Sequence, residues 1–422
     1  MDRVKLVSIR LVPIVRASIR PASFRFALVA TLCAATTLAC RAPLRGVDYG
    51  VDADPYRHEV IVDPAEVGGE LVHRLLLIGD AGAPVPDDPT LDLLGIWGDA
   101  HPDRTTALFL GDNVYPSGLE EGDRARGEEI LLQQLQATRA RKLFVPGNHD
   151  WGFAWNRSFT PGVLENQQAF IDEHAHLDAA LEPRHGCPGP VPVELVEPSP
   201  ALPGGLTLLL LDLHWWLLSD EDRPVCEDVV GTSEFVDALR EELEARVDEN
   251  VVVAAHHPIR SGGEHGGFTR GFWFDLGVSI FYRFYTVQDL VEPGYREMVG
   301  VLSEVLSENP PLAMVGGHDH SLQILEGGDE ARLVVVSGAA TKVSRVTSTE
   351  DTLFAHAHRG FIVFDFYDTR PAAGRGTLLV QVAEVGEGDR PVVAIGIDLG
   401  QEEERPQVVP SRRQGSLLPR PQ

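Results

Sequence analysis

The chain has 422 residues, of which 43% are hydrophobic and 23% charged. That is globular composition, enough for one large domain or two to three ordinary ones, and it excludes a disordered, collagen-like or coiled-coil chain. Thirty-six Lys and Arg stand against 63 Asp and Glu, a formal charge of −27, which disfavours nucleic-acid binding through a basic face. Four cysteines are too few for a disulfide scaffold.

Residues 1–40 are basic, with Arg3, Lys5, Arg10, Arg16, Arg20 and Arg25 against Asp2 alone. The apolar run from Phe26 to Ala39 is shorter than the ~20 residues of a membrane-spanning helix. This layout is that of an export signal. Thr37-Leu38-Ala39-Cys40 resembles a bacterial lipobox, so Cys40 is expected to be the lipidated first residue of a membrane-attached lipoprotein. Release as a periplasmic or secreted protein, or an uncleaved anchor, are the alternatives. Cys33 leaves with the signal. Cys187 and Cys226 are then expected to pair in an oxidising compartment, the alternative being two separate thiols.

Residues 41–70 read as a polar tether. Short apolar runs then recur: Leu75–Ile78, Leu108–Leu110, Leu143–Val145, Leu208–Leu211, Val251–Val253, Leu312–Val315 and Leu333–Val336. Runs this short and continuous read as strands buried on both faces. Helical periodicity lies between them, beginning at Ser233 with Leu243 on the same face, and again over Tyr295–Leu306. Alternating strand and helix predicts an α/β domain over 71–400. Two stretches read as insertions, near 151–205, rich in Pro, Gly and His, and near 266–292, dense in aromatics. The aromatic stretch reads as a satellite core, or alternatively as a lid or membrane-facing surface. Residues 401–422 read as a disordered tail.

Polar residues follow these apolar runs. Gly79-Asp80-Ala81-Gly82 follows the first, Gly111-Asp112-Asn113-Val114-Tyr115 the second, and Gly147-Asn148-His149-Asp150 the third. His256-His257 follows the Val251 run, and Gly317-His318-Asp319-His320 follows the Leu312 run. In a largely parallel sheet the carboxyl ends of strands share one rim, where ligands bind. Two Asp, an Asn, a Tyr and three His would converge there. Each motif alone is weak; five in this order, each after a buried strand, are a strong signal for a metal site.

These residues resemble the calcineurin-like metallophosphoesterase superfamily, and within it the purple acid phosphatase branch, over roughly residues 71–390. The fold implied is a four-layer α/β/β/α sandwich of two packed mixed sheets. The activity implied is a metal-dependent phosphoric ester hydrolase that cleaves phosphate monoesters with two ions. In most other branches the first motif reads Asp-x-His. Here Gly82 occupies the histidine position, and Tyr115 supplies the missing donor. The resemblance assigns Asp80, Tyr115 and His320 to a first ion, Asn148, His256 and His318 to a second, and Asp112 to both. Carboxylate and phenolate donors suit Fe(III) at the first site; the amide and imidazoles of the second suit Fe(II), Zn or Mn. The ions would neutralise the phosphate and lower the pKa of a bound water that attacks phosphorus. His149 and His265 would be the catalytic histidines, stabilising charge and protonating the leaving oxygen. His265 stands nine residues after His256, where the mammalian-type enzymes place a histidine beside the metals. His257 is expected to be a wall residue, and Trp215 and Trp216 core.

The partners expected are a phosphate ester and a membrane met through the lipid anchor, with no protein partner. A phosphodiesterase acting on nucleotides or lipid head groups would use the same ions. A catalytically silent surface lipoprotein is the reading of another class. The seven filled ligand positions argue against it.

Overall fold

The computed structural model describes residues 48–49, 55–57, 69–152, 162–227, 229–266, 289–290, 292–368 and 376–399. The expectations for the signal and Cys40, for most of the tether, for most of the aromatic stretch and for the tail lie outside these residues. Every described residue belongs to one compact unit, Gly46–Gln422.

The strands in chain order are β1 (Asp48–Tyr49), β2 (Tyr56–Arg57), β3 (Glu70–Ile78), β4 (Thr105–Leu110), β5 (Arg141–Val145) and β6 (Ala179–Leu181). They continue with β7 (Val191–Val196), β8 (Leu206–Leu210), β9 (Val251–Ala254), β10 (Ala313–Gly316), β11 (Leu322–Glu326) and β12 (Leu333–Ser337). The last are β13 (Val346–Thr347), β14 (Thr352–His356), β15 (Gly360–Asp368), β16 (Thr377–Glu384) and β17 (Val393–Asp398). The α-helices are α1 (Pro89–Asp99), α2 (Arg124–Gln136), α3 (Val163–Glu173), the one-turn α4 (His214–Leu217), α5 (Thr232–Ala245) and α6 (Pro293–Glu308).

Two mixed sheets carry the fold. One has the order β17-β16-β15-β3-β4-β5-β6 and the other β2-β14-β11-β12-β10-β9-β8-β7, with β1 and β13 forming a small separate pair. Strands β3 to β6 run parallel, as do β8, β9, β10 and β12. The flanks β15–β17, β11, β14, β2 and β7 are antiparallel. The seven sequence-predicted runs all lie in parallel strands, where burial on both faces keeps the apolar run unbroken.

Alternation along each strand sorts its side chains between two layers. Leu75 and Leu77 of β3 join Leu108, Leu110, Leu208, Leu210, Val252, Val315 and Val335 in the core between the sheets. Leu76 and Ile78, one residue out of phase, pack instead with Leu94 and Trp97 of α1 and Leu131 and Leu135 of α2. On the far side Leu209, Val253, Met314 and Val334 meet Phe235, Leu239 and Leu243 of α5 and Tyr295, Met298 and Leu302 of α6. Helix, sheet, sheet and helix are therefore four layers with three apolar seams.

Local chemistry fixes the helix ends. Asp88 caps α1 by accepting from the Thr90 amide at 2.9 Å, Pro89 opens the first turn, and Arg359 grips the same carboxylate at 2.6 and 2.7 Å. The stretch 151–205, read as an insertion, contains α3 and an edge strand of each sheet, β6 and β7. Cys187 and Cys226 are disulfide-bonded, with Cα atoms 5.8 Å apart. Trp215 is core, as expected, while Trp216 packs at its margin. Among the described residues no helix is long and apolar enough to cross a membrane.

Candidate metal centre

The polar turns after β3, β4, β5, β9 and β10 meet at one rim. Backbone hydrogen bonds join them: the Asp80 amide donates to the Gly111 carbonyl at 3.0 Å and the Gly317 amide to the His256 carbonyl at 2.9 Å. Asp80, Asp112 and His318 hold φ values of 61°, 55° and 68°, a left-handed conformation that turns each side chain sharply off its strand. The glycines permit close approach. A Cβ on Gly147 would lie 2.4 Å from Asp112 Oδ1 and one on Gly317 2.8 Å from Asp80 Oδ2.

Asp80 and Asp112 are buried. Asp80 Oδ1 accepts from the Tyr115 hydroxyl at 2.8 Å, Oδ2 accepts from the His318 amide at 2.8 Å, and His320 Nε2 stands 3.3 Å from Oδ1. Tyr115 also reaches His320 Nε2 at 3.2 Å. Asp112 Oδ1 accepts from the His149 amide at 2.9 Å and lies 3.4 Å from His256 Nε2. Asn148 Oδ1 is 3.1 Å and His318 Nδ1 3.2 Å from that same Nε2. All seven candidate ligands are thus brought together. One group, Tyr115 and His320, surrounds Asp80, and another, Asn148, His256 and His318, adjoins Asp112.

This donor set fits a cation. His256 Nδ1–H donates to the Leu110 carbonyl at 2.7 Å, which leaves the Nε2 lone pair pointing inward. Its neighbours there, the Asn148 and Asp112 oxygens, are acceptors too, and acceptors facing one another need a positive charge between them, which either a proton on the imidazole or a bound cation supplies. Asp80, Asp112 and His256 each offer an atom within 4.8 Å of the others. Burial opposes ionisation of Asp112, but the His256 and His149 charges outweigh it and hold the carboxyl below its usual range. Burial, then Asp112 and Asp80, keeps the Tyr115 phenol far above its ordinary value. A cation would reverse that order.

The space beside Gly82 accounts for the tyrosine. A Cβ there would meet the Asp112 carbonyl at 2.6 Å and the Val114 and Tyr115 amides at 2.7 and 2.8 Å. No side chain fits at Gly82 without the backbone shifting, and the Tyr115 hydroxyl is the oxygen that reaches Asp80 and His320.

His149 and His265 flank the cluster. The ring of His149 packs edge-on to Tyr115 at 4.6 Å, and its Nδ1–H donates to the Pro116 carbonyl. The His265 ring lies 4.3 Å from that of His318, and its Nδ1 is 2.6 Å from Asp289 Oδ1. Burial lowers the His265 pKa, but the Asp289 hydrogen bond and the charges of Asp319, Asp289 and Asp80 win and push it up to about 9. His257 is buried among the His256, His318, His214 and Tyr295 rings.

Four residues assigned no role from sequence support the site. Asp150 is buried and accepts from the Gly147, Asn113 and Val114 amides at 2.8, 2.9 and 3.1 Å, bracing two ligand turns. Burial, and then the Asp112 charge, pushes it up to about 7. Asp319 accepts from the His265 amide at 2.9 Å. Asp289 orients His265, and the Lys342 amine lies 3.0 Å from the Tyr115 ring centroid. Asp150 and Asp319 were visible as acids inside the motifs. Asp289 and Lys342 lie outside them, and only folding brings them in.

Fold and site together define a metal-dependent phosphoesterase. The sequence profile of the calcineurin-like phosphoesterase family matches residues 73–322, and the chain belongs to that family. No curated protein matches it. Among solved structures, GAP50, the anchor in the inner membrane complex of Plasmodium, superposes with a TM-score of 0.50 at 14% identity, covering 79% of this chain and 91% of that one. A dimetal phosphatase from Danio rerio superposes at 0.43 with 13% identity, over 78% of this chain and 99% of that one. Phosphopantetheinyl hydrolase from Mycobacterium tuberculosis gives 0.36 at 15% identity, over 64% and 90%.

Proposed function

We propose that the protein is a dinuclear phosphomonoesterase of the purple acid phosphatase type. The observation that carries this is the position of Tyr115. Its hydroxyl lies between Asp80 Oδ1 and His320 Nε2, while Gly82 brings no side-chain donor and has no room for one. Asp80, Tyr115 and His320 would hold a first ion, ferric by the hardness of its donors. Asn148, His256 and His318 would hold a second, Fe(II), Zn or Mn, with Asp112 shared. Bound there, such a pair neutralises phosphate charge and supplies an acidified water.

The chain's own residues do the rest. Asp112 is fixed by the His149 amide, and His256 by the Leu110 carbonyl, so neither must reorganise on binding. His265, held by Asp289, stands ready to protonate the leaving oxygen. His149 keeps its Nε2 toward the cluster, 3.8 Å from Asp112 Oδ2, where it can stabilise the phosphoryl oxygens.

The test is metal analysis of purified protein together with p-nitrophenyl phosphate and its bis ester. Two ions per chain and faster cleavage of the monoester are expected. A faster diester, or two ions without hydrolysis of either ester, overturns the assignment. An oxidised iron-loaded protein should be violet to pink, and Tyr115→Phe should lose the colour and keep the fold. An unchanged spectrum excludes Tyr115 as an iron ligand.

The protein is further proposed to act outside the cytoplasm as a lipoprotein anchored through Cys40. The Cys187–Cys226 bond supports export, since such bonds persist in oxidising compartments. Cys40→Ser should leave an unprocessed precursor; normal cleavage to a soluble form would replace the anchor with plain secretion.

A further inference from the structure

Lys342 is a cation held beside the site by its own loop. On one side of it the Thr341 hydroxyl donates to the Asp80 carbonyl at 2.6 Å, and the Ala340 amide to the Gly79 carbonyl at 3.3 Å. On the other the Ser344 amide donates to the His320 carbonyl at 2.7 Å. The loop after β12 is thereby tied to both turns that present Asp80 and His320, and Lys342 lies between the ties. Its Nζ rests over the Tyr115 ring, 3.0 Å from the centroid. That ring also makes a T-shaped contact with His149 at 4.6 Å, so amine and imidazole adjoin the same tyrosine.

On a chain of charge −27 an amine finds carboxylate partners easily. Among the described residues Lys342 makes no salt bridge, although its side chain is half-buried; its amine packs on the Tyr115 face. A cation–π contact of this kind holds an ammonium in place while leaving its N–H groups free to donate. Burial disfavours the Lys342 charge, and Asp112 and then Asp80 oppose that, so the amine is fixed close to both metal-site carboxylates.

Resting on the phosphoesterase reading above, we propose that Lys342 binds a non-bridging phosphoryl oxygen of the substrate and selects the doubly charged monoester over the singly charged diester. The second ionisation of a phosphate monoester falls near pH 6, so at pH 7.5 the monoester carries about one charge more than a diester. A charge-assisted hydrogen bond to that extra charge is worth roughly 10–100-fold in affinity.

The experiment compares wild type, Lys342→Met and Lys342→Arg, each loaded with metal and assayed at pH 7.5. Metal content, hydrolysis of p-nitrophenyl phosphate and its bis ester, and calorimetric binding of inorganic phosphate are measured. Lys342→Met should retain both ions, weaken phosphate binding ~10–100-fold, and lower kcat/KM for the monoester by a similar factor. The diester should change less than ~3-fold, and Lys342→Arg should restore most of the monoester rate. Equal loss on both esters, unchanged phosphate affinity, or loss of metal from Lys342→Met would overturn the proposal; metal loss would mean that the lysine acts through Tyr115. If loaded wild type cleaves neither ester, the phosphoesterase reading fails. The phosphate titration then decides the lysine alone, and wild-type protein that binds no phosphate overturns it.

Discussion

Asn148 and His318 each meet His256 Nε2 through polar atoms, whereas the His265 ring packs against the rings of His318 and His320 and takes its hold from Asp289. Removal of the two kinds of residue should therefore differ. On the proposed assignment Asn148→Ala would open the shell of the second ion, and the variant should bind close to one ion per chain with most activity lost. On the same assignment His265→Ala would leave the shell intact; it should keep both ions and lower turnover by ~10²–10⁴, the usual contribution of a general acid. Metal content and kcat measured on the same preparations separate them. Metal loss from the His265 variant would make it a ligand, and unchanged turnover would end its role as acid.

At the scale of elements, charged groups inside the sheets carry consequences for stability. Arg74 of β3 donates through Nε and Nη2 to Asp365 of β15, both at 2.7 Å, and its guanidinium stacks over Trp97 of α1 at 4.9 Å. Asp365 is buried and also accepts from Gln381 of β16 at 2.8 Å. One ion pair thus joins three strands and a helix. Arg74→Met leaves a buried carboxylate without its cation and should cost about 3–5 kcal/mol. Adding Asp365→Leu should recover most of that. Urea unfolding of the single and double variants checks both, and equal stability of Arg74→Met and wild type would refute the buried-pair argument.

His73, also on β3, is buried and shares a 3.1 Å hydrogen bond with the Thr106 hydroxyl. Burial, then the Arg141 charge, pushes its pKa down to about 4. The unfolded chain binds that proton near pH 6.5. Above pH 6.5 the ring is neutral in both states and costs nothing. As pH falls toward 4 the unfolded state takes up the proton first, and about 3 kcal/mol of stability is lost. His73→Gln should flatten this part of the stability curve in urea titrations between pH 7 and 4. Parallel curves for variant and wild type would mean that His73 titrates normally.

Across the whole molecule the disulfide links the stretch between β6 and β7 to the segment between α4 and α5, 39 residues apart in sequence. Closing a loop of this length stabilises the fold by about 4 kcal/mol in the chain-entropy view. The Cys187→Ser, Cys226→Ser double variant should therefore unfold at clearly lower urea concentration, with the metal site unaffected. A midpoint equal to that of wild type would show that the packing of α5 and β8 already holds this region.

What the sequence by itself determined is local and repetitive. Strands β3, β4, β5, β8, β9, β10 and β12 were legible because both faces are buried and the apolar run is unbroken. Helices α5 and α6 were legible from periodicity, and the seven candidate ligands from polar turns after strands. Strands β15–β17 were not picked out, although β15 and β16 are the longest additions to their sheet. Gln381 and Asp365 interrupt their apolar pattern, and only partners from distant strands make those polar groups tolerable in the interior. Lys342 and Asp289 were equally silent, since a lone lysine or aspartate in a loop has no pattern. Their roles arise from long-range contacts, which hydrophobic periodicity does not encode. The chemistry of the turns was written in neighbouring residues; the pairing of distant strands, and the charges brought to the rim by loops far along the chain, were decided only when the two sheets packed together.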